Sequence, residues 1–208
     1  MPVIILIMGA VRKGKTTACL ELAERCRRRG LKVYGLVSPR FFLEGRLVGY
    51  DCLDLSSHVS FPLVRLKEVV EGPDWFHFGG LRYAFSTSGF ERANSILLSS
   101  SEALDRSSII FVDEFGRLEA AGQGLLPGVL RLADRLKKGG LAVFTCRPEL
   151  QGSLRKLVEN KGIKLLPYEP PYLEDIWLEI QRSLKSISDA TISDYYRGQR
   201  GSKIMIVT

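Results

Sequence analysis

Apolar residues fall along this chain in short runs at two spacings, and the alternation of those runs sets the fold class. Val3–Met8 is an unbroken apolar segment of strand length, and residues 17–29 after it carry apolar positions at helical spacing. Gly30 stands where a helix commonly ends in left-handed backbone, and Lys32–Val37 reads as a second strand closed by Ser38-Pro39. Residues 109–112 and 141–144 are again continuous and apolar, as parallel strands buried on both faces require. Ser88-Gly89-Phe90-Glu91 has the S-x-x-E form of a capping box opening a helix over residues 88–104, weakened locally by Ser99-Ser100-Ser101. Residues 125–138 and 149–159 are helical, Gly139-Gly140 stops the first of them, and residues 163–166 form a short last strand. Pro170-Pro171 opens a final helix with Leu173, Ile176, Trp177, Ile180 and Leu184 on one face. Strands alternating with helices in this way predict an α/β fold: a mostly parallel sheet with helices on both faces.

Residues 41–66 break the pattern. Their apolar runs are shorter, alternate with polar residues, and are interrupted by Glu44-Gly45-Arg46, Gly49 and Ser56-Ser57, as in β-hairpins. Gly72-Pro73 and Gly79-Gly80 punctuate the next segment, and residues 82–86 add a strand. These patterns predict a single domain over residues 1–187 with a small β-hairpin insertion at about 41–86. The tail, 188–208, is polar up to Ile204-Met205-Ile206-Val207, which is either an added edge strand or a disordered end. There is no internal repeat and no long linker.

The first strand runs into Gly9-Ala10-Val11-Arg12-Lys13-Gly14-Lys15-Thr16, which satisfies G-x-x-x-x-G-K-[ST]. Glycines let such a loop curl so that successive backbone N–H groups point at one anion, and the helix beyond it adds its positive end. Lys15 is then the group that reaches β/γ-phosphates, Thr16 the hydroxyl that holds Mg²⁺, and Gly9 through Thr17 (with Ala10, Val11, Arg12, Lys13 and Gly14) the phosphate-binding set. Arg12 and Lys13 make the variable positions unusually basic. A net charge of +7 suits an anionic ligand. Nucleic acid is the other partner such a charge allows, but no Arg/Lys stripe interleaved with aromatics supports it. The densest basic run, Arg25, Arg27, Arg28, Arg29 and Lys32, fits a solvated helix end complementing the dipole.

Other chemistries are excluded or reduced. Cys19, Cys26, Cys52 and Cys146 show no C-x-x-C pair, and Cys19 and Cys26 share a helix face that suits a core. His58 and His77 are too few and too isolated for a zinc cluster. No run has transmembrane length, and the first eight residues read as a strand without the basic leader of a signal peptide. The expectation is a cytoplasmic protein with no membrane partner.

Asp113-Glu114 closes the apolar run 109–112, where a Walker B carboxylate orients Mg²⁺ beside the phosphate-loop hydroxyl. Adjacent strand residues point to opposite sides, so a division is expected, with Asp113 on the metal and Glu114 taking a proton from water. Thr145 ends the neighbouring strand, where a threonine senses a terminal phosphate, holds the nucleophile or is merely structural. Arg12, Arg117 and Arg147 are candidates for a charge-stabilising arginine. Phe41, Phe42, Tyr50, Phe78 and Tyr83 could stack on a base or pack in a core.

The phosphate loop followed by Thr17, the Gly49-Tyr50-Asp51 element and Asp113-Glu114-Phe115-Gly116-Arg117-Leu118-Glu119 together resemble the THEP-type (cancer-related) nucleoside-triphosphatase family. The resemblance spans most of residues 1–147. It implies a RecA-like P-loop NTPase fold and Mg²⁺-dependent hydrolysis of ATP, GTP, CTP and UTP to diphosphates, with loose base preference. It carries Lys15, Asp113 and Glu114 over as catalytic residues and Thr16 and Asp113 as metal ligands. Glu119 also matches the family, with Arg117 or Arg147 as its expected partner. Val11-Arg12 stand where the family loop often has Pro-Gly. Two other functions compete: a nucleoside, nucleotide or small-molecule kinase whose insertion holds the acceptor, and a non-enzymatic nucleotide-dependent switch or assembly adaptor. No separable arginine-rich lid favours the kinase, and the switch does not account for residues 113–119. Oligomeric state is not readable.

Overall fold

The computed structural model describes residues 2–137, 140–168 and 173–200, the last with side chains to residue 186. The strands are β1 (Val3–Met8), β2 (Lys32–Val37), β3 (Arg40–Leu43), β4 (Arg46–Asp54), β5 (Ser60–Leu66), β6 (Trp75–His77), β7 (Tyr83–Ser86), β8 (Ser108–Phe115), β9 (Leu141–Cys146) and β10 (Lys164–Tyr168). The helices are α1 (Lys15–Arg28), α2 (Thr87–Ala103), the single turn α3 (Arg117–Ala120), α4 (Leu126–Leu136), α5 (Gln151–Glu159) and α6 (Leu173–Arg200).

Every strand joins one sheet, in the order β10-β1-β9-β8-β2-β4-β5-β7-β6, with β3 pairing on β4. The first five are parallel to one another, and β1, β8 and β9 carry the continuous apolar runs. The insertion does not stand apart. Leu36 and Val37 of β2 pair antiparallel with Asp54 and Leu53 of β4, so the hairpins extend the parallel sheet sideways. Glu44 and Gly45, both at positive φ, make the two-residue turn between β3 and β4.

One face of the sheet buries Val112, Phe115 and Phe144 beneath Leu97 of α2, Leu132 of α4 and Val158 of α5. The other buries Ile5, Ile7 and Phe111 beneath Cys19, Leu22 and Cys26 of α1 and Ile176 and Ile180 of α6. Each fully buried side chain of this size contributes roughly 1.5–3 kcal/mol, so the two layers drive the fold. The four cysteines are all buried and free, and Cys19 and Cys26 share the core face of α1. The basic end of α1 is neutralised locally: Arg25 pairs with Glu21 and Glu174, Arg28 with Glu24, and Lys32 with Asp105. Among the described residues no helix is long and apolar enough to cross a membrane.

Several boundaries move. Helix α1 starts at Lys15 rather than residue 17, because Gly14 takes left-handed backbone and turns the chain directly out of the loop. The capping residue of α2 is Ser86, not Ser88: its hydroxyl accepts from the Gly89 N–H at 2.9 Å, while Asp74 accepts from both the Ser86 hydroxyl and the Ser88 N–H. Strand β6 and turn α3 had no apolar periodicity to announce them. Helix α6 continues through Arg200, past its apolar face. Gly139, the Pro170-Pro171 helix start and the 204–207 run lie outside the described residues.

Gly35 shows how tightly the central strands meet. Its φ is +100°, and a Cβ there would lie 2.0 Å from the Phe111 carbonyl oxygen on β8. Gly35→Ala is therefore expected to destabilise the protein by about 2–3 kcal/mol in denaturant titrations, through strain and overpacking together.

Candidate active site

Order in the sheet decides which loops meet. Strand β9 lies between β1 and β8, so the ends of β1, β9, β8 and β2 bring the phosphate loop, Thr145, Asp113-Glu114 and Ser38 to one edge. Gly14 is the N-cap of α1 with φ 78°, and no side chain caps the helix, which leaves its first N–H groups to an outside acceptor. Gly9 and Arg12 also have positive φ, so the loop curls into a concave row of amides. The Lys15 Nζ donates to the carbonyls of Gly9 at 2.7 Å and Ala10 at 3.0 Å, which fixes the ammonium over the loop. Val11, Lys13, Thr16 and Thr17 line the same cavity.

Asp113 is 2% exposed and fully engaged. Its carboxylate accepts from the Thr145 hydroxyl at 2.6 Å and from the Ser38 N–H at 3.1 Å. The Ser38 hydroxyl in turn donates to the Asp113 carbonyl at 2.9 Å. Burial pushes the Asp113 carboxyl above its ordinary range, opposed by these hydrogen bonds and by Lys15. Thr145 thus spends its hydroxyl on Asp113, the structural role among those open to it. Ser38, which in the sequence marked only the end of β2, turns out to be part of the site.

Glu114 breaks the regular strand. Its φ is 132°, and the pairing of β8 with β9 slips between Val112 and Phe115. Ile109 and Phe111 face one core and Ile110 and Val112 the other, but Phe115 falls with Val112, out of alternation. The bulge inserts a residue and re-aims both acids, so Asp113 and Glu114 line one cavity rather than opposite faces. The Glu114 side chain is 43% exposed and lies 3.6 Å from the Arg147 Nε. Its carboxyl is pushed up by desolvation and by the Asp113 charge, with Arg147 and Lys15 pulling the other way. Arg12, Arg117 and Arg147 all line the cavity.

Glu119 pairs with neither Arg117 nor Arg147. Its two carboxylate oxygens accept from the backbone N–H groups of Gly116 and Leu125, each at 2.8 Å, and pin the turn after β8. The Gly49-Tyr50-Asp51 element has a similar logic. A Cβ on Gly49 would lie 2.0 Å from the Val64 carbonyl oxygen, Tyr50 faces the cavity, and Asp51 pairs with the buried Arg65. Tyr83 also faces the cavity, edge-on to Tyr50 with centroids 5.9 Å apart. Of the other candidate aromatics, Phe41 takes the Arg65 guanidinium on its ring, Phe42 is exposed, and Phe78 packs against the core.

The cavity has a volume of about 590 Å³ and runs from the phosphate loop past the acids to the insertion. Among the described residues no cluster of three or more His, Cys, Asp or Glu could hold a metal by itself. Thr16 and Asp113 instead supply two hard oxygens to the same cavity.

A phosphate loop on β1, separated by one strand from the acidic strand of a parallel sheet, defines a RecA-like P-loop NTPase. A family model described as NTPase matches residues 4–170. The nucleoside-triphosphatase THEP1 of Methanopyrus kandleri is 31% identical over 134 residues, 64% of this chain and 69% of its own. That of Thermofilum pendens is 30% identical over 162 residues, covering 77% and 83%. The solution structure of a human cancer-related nucleoside triphosphatase shares the fold, with a TM-score of 0.66 at 20% identity over 89% of this chain and 98% of that one. The chain belongs to the NTPase family and is an enzyme of the nucleoside-triphosphatase class.

Because a glutamine retains one acceptor but turns an N–H₂ toward the second backbone donor, Glu119→Gln is expected to cost about 1–3 kcal/mol. Thermal unfolding followed by circular dichroism checks this.

Proposed function

We propose that the protein is a Mg²⁺-dependent phosphohydrolase converting ATP, GTP, CTP and UTP to diphosphate and phosphate. The observation that carries this reading is the convergence of Lys15, Thr16, Asp113 and Glu114 on one cavity. In this reading the amides of residues 9–14 and the start of α1 bind the β-phosphate, Lys15 reaches the β/γ-phosphates, and Thr17 helps hold the chain of phosphates. Thr16 and Asp113 fit Mg²⁺, a hard ion that takes few protein oxygens and keeps water and phosphate ligands. When bound it neutralises charge on the phosphate oxygens. Asp113, held by Thr145 and Ser38, keeps its position there without reorganising. Glu114 accepts the proton of the attacking water, and Arg147 beside it adds positive charge near the leaving phosphoryl group. The free, buried cysteines accord with a reducing cytoplasm. Continuity of the insertion strands with the parallel sheet accords with one domain over residues 1–187.

Phosphate release measured across ATP, GTP, CTP and UTP, with Mg²⁺ and with a chelator, is expected to show all four consumed and activity lost without the ion. Glu114→Gln is expected to keep ATP affinity and lose about 10²–10⁴-fold in turnover, the typical worth of a general base. Lys15→Ala is expected to weaken both. Unchanged phosphate release by the Glu114→Gln protein removes Glu114 as the base.

A further inference from the structure

Asp113 sits where the sheet ladder lets go of its own strand. Pairing of β8 with β9 runs to Val112 and Phe144 and resumes only at Phe115 and Cys146, so the bulge leaves residues 113 and 114 without a register partner on β9. Pairing of β8 with β2 ends at Val112 and Leu36. Hydrogen bonds outside the ladder take over there. The Thr145 hydroxyl donates to one carboxylate oxygen, Oδ1, at 2.6 Å, and the Ser38 N–H donates to the other, Oδ2, at 3.1 Å. The Ser38 hydroxyl donates to the Asp113 carbonyl at 2.9 Å. A carboxylate gripped at both oxygens, from the strands on either side, cannot turn about its Cβ–Cγ bond without breaking one of these bonds. Thr145 is itself firmly placed. It has no exposed surface, every residue of β9 is buried, and its register partner on β1 is Ile7, just before the phosphate loop begins at Gly9. Its hydroxyl therefore ties Asp113 to the strand that leads into the loop and Thr16, and sets the span between the two oxygens.

We infer that Thr145 is a positioning residue that makes this site select a small divalent ion over a large one. The inference rests on the proposed roles of Thr16 and Asp113 as ligands, and adds a selectivity to them. Mg²⁺ demands near-ideal octahedral geometry at about 2.0–2.1 Å and needs few protein oxygens. Ca²⁺ takes about six to eight oxygens at about 2.3–2.6 Å and profits from carboxylates free to swing into two-oxygen contact. A carboxylate locked in one orientation, at a span set through the parallel strands β1, β9 and β8, suits the first ion and denies the second its adjustment. Groups that hold a ligand without touching the ion are worth about 10–100-fold in metal affinity. Thr145 holds Asp113 through one hydroxyl, which valine lacks at nearly the same shape and serine keeps.

The test uses the full chain saturated with ADP and Mn²⁺ as a paramagnetic probe. Mg²⁺ and Ca²⁺ are titrated against the bound Mn²⁺, and the Mn²⁺ released is read by electron paramagnetic resonance. After correction for each ion's affinity for free ADP, the unsubstituted protein is expected to hold Mg²⁺ about tenfold or more tighter than Ca²⁺. Thr145→Val is expected to weaken Mg²⁺ by about tenfold and Ca²⁺ by less than about threefold, so that the preference narrows, and Thr145→Ser to keep it. Ser38→Ala frees the Asp113 carbonyl from the other side and is expected to narrow the preference in the same direction, which serves if Thr145→Val does not fold. Equal weakening of both ions, no change in either, or a Thr145→Ser protein that behaves like Thr145→Val overturns the inference. Equal affinity of the unsubstituted protein for Mg²⁺ and Ca²⁺ overturns it as well. Asp113→Asn tells the two levels apart: if that substitution leaves Mn²⁺ affinity unchanged, Asp113 is no ligand and the reading beneath the inference fails. If it lowers Mn²⁺ affinity while Thr145→Val leaves the preference intact, the inference alone fails.

Discussion

The site depends on one buried carboxylate. Asp113 lies near the end of the central strand β8, and its hydrogen bonds reach β9 through Thr145 and the end of β2 through Ser38. An ionised carboxylate so deep would be costly without such partners. With them it becomes the knot that holds the ends of β8, β9 and β2 in register. The same residue is therefore structural support and candidate metal ligand. Its rigidity follows from the polar network rather than from apolar packing.

Around that knot the two halves of the sheet divide the work. The parallel strands supply stiffness and a common edge, as continuous apolar runs buried on both faces must. The antiparallel insertion supplies a wall. Its own polar anchor, Arg65 with Asp51 and the carbonyls of Tyr50 and Val64, holds β4 against β5 so that Tyr50 is presented to the cavity. The short β2–β4 pairing passes the frame's geometry on to the insertion.

Much of this was legible in the sequence because the physics was local. Val3–Met8 followed by the glycine loop and a helix is a contiguous pattern, and the parallel strands announce themselves by apolar runs. The RecA-like order came from the acidic motif's likeness to a family, not from periodicity, since nothing in residues 109–112 states that β9 lies between β8 and β1. What escaped was non-local. Ser38 joins the site only because β2 ends beside β8. Glu119 finds backbone N–H groups of Gly116 and Leu125, which no charge count would suggest over an arginine. The alternation rule put Asp113 and Glu114 on opposite faces, and one inserted residue in the pairing undid it.

That inserted residue carries a further consequence. Glu114 is a glutamate in backbone that glycine tolerates far better, and such a conformation costs of order 1–3 kcal/mol. The chain keeps the acid there against its own conformational preference, so a stability optimum and the carboxylate in the cavity pull apart at this position. Selection of variants for heat resistance alone would drift toward glycine at residue 114, yielding a sturdier protein whose cavity has lost one of its carboxylates.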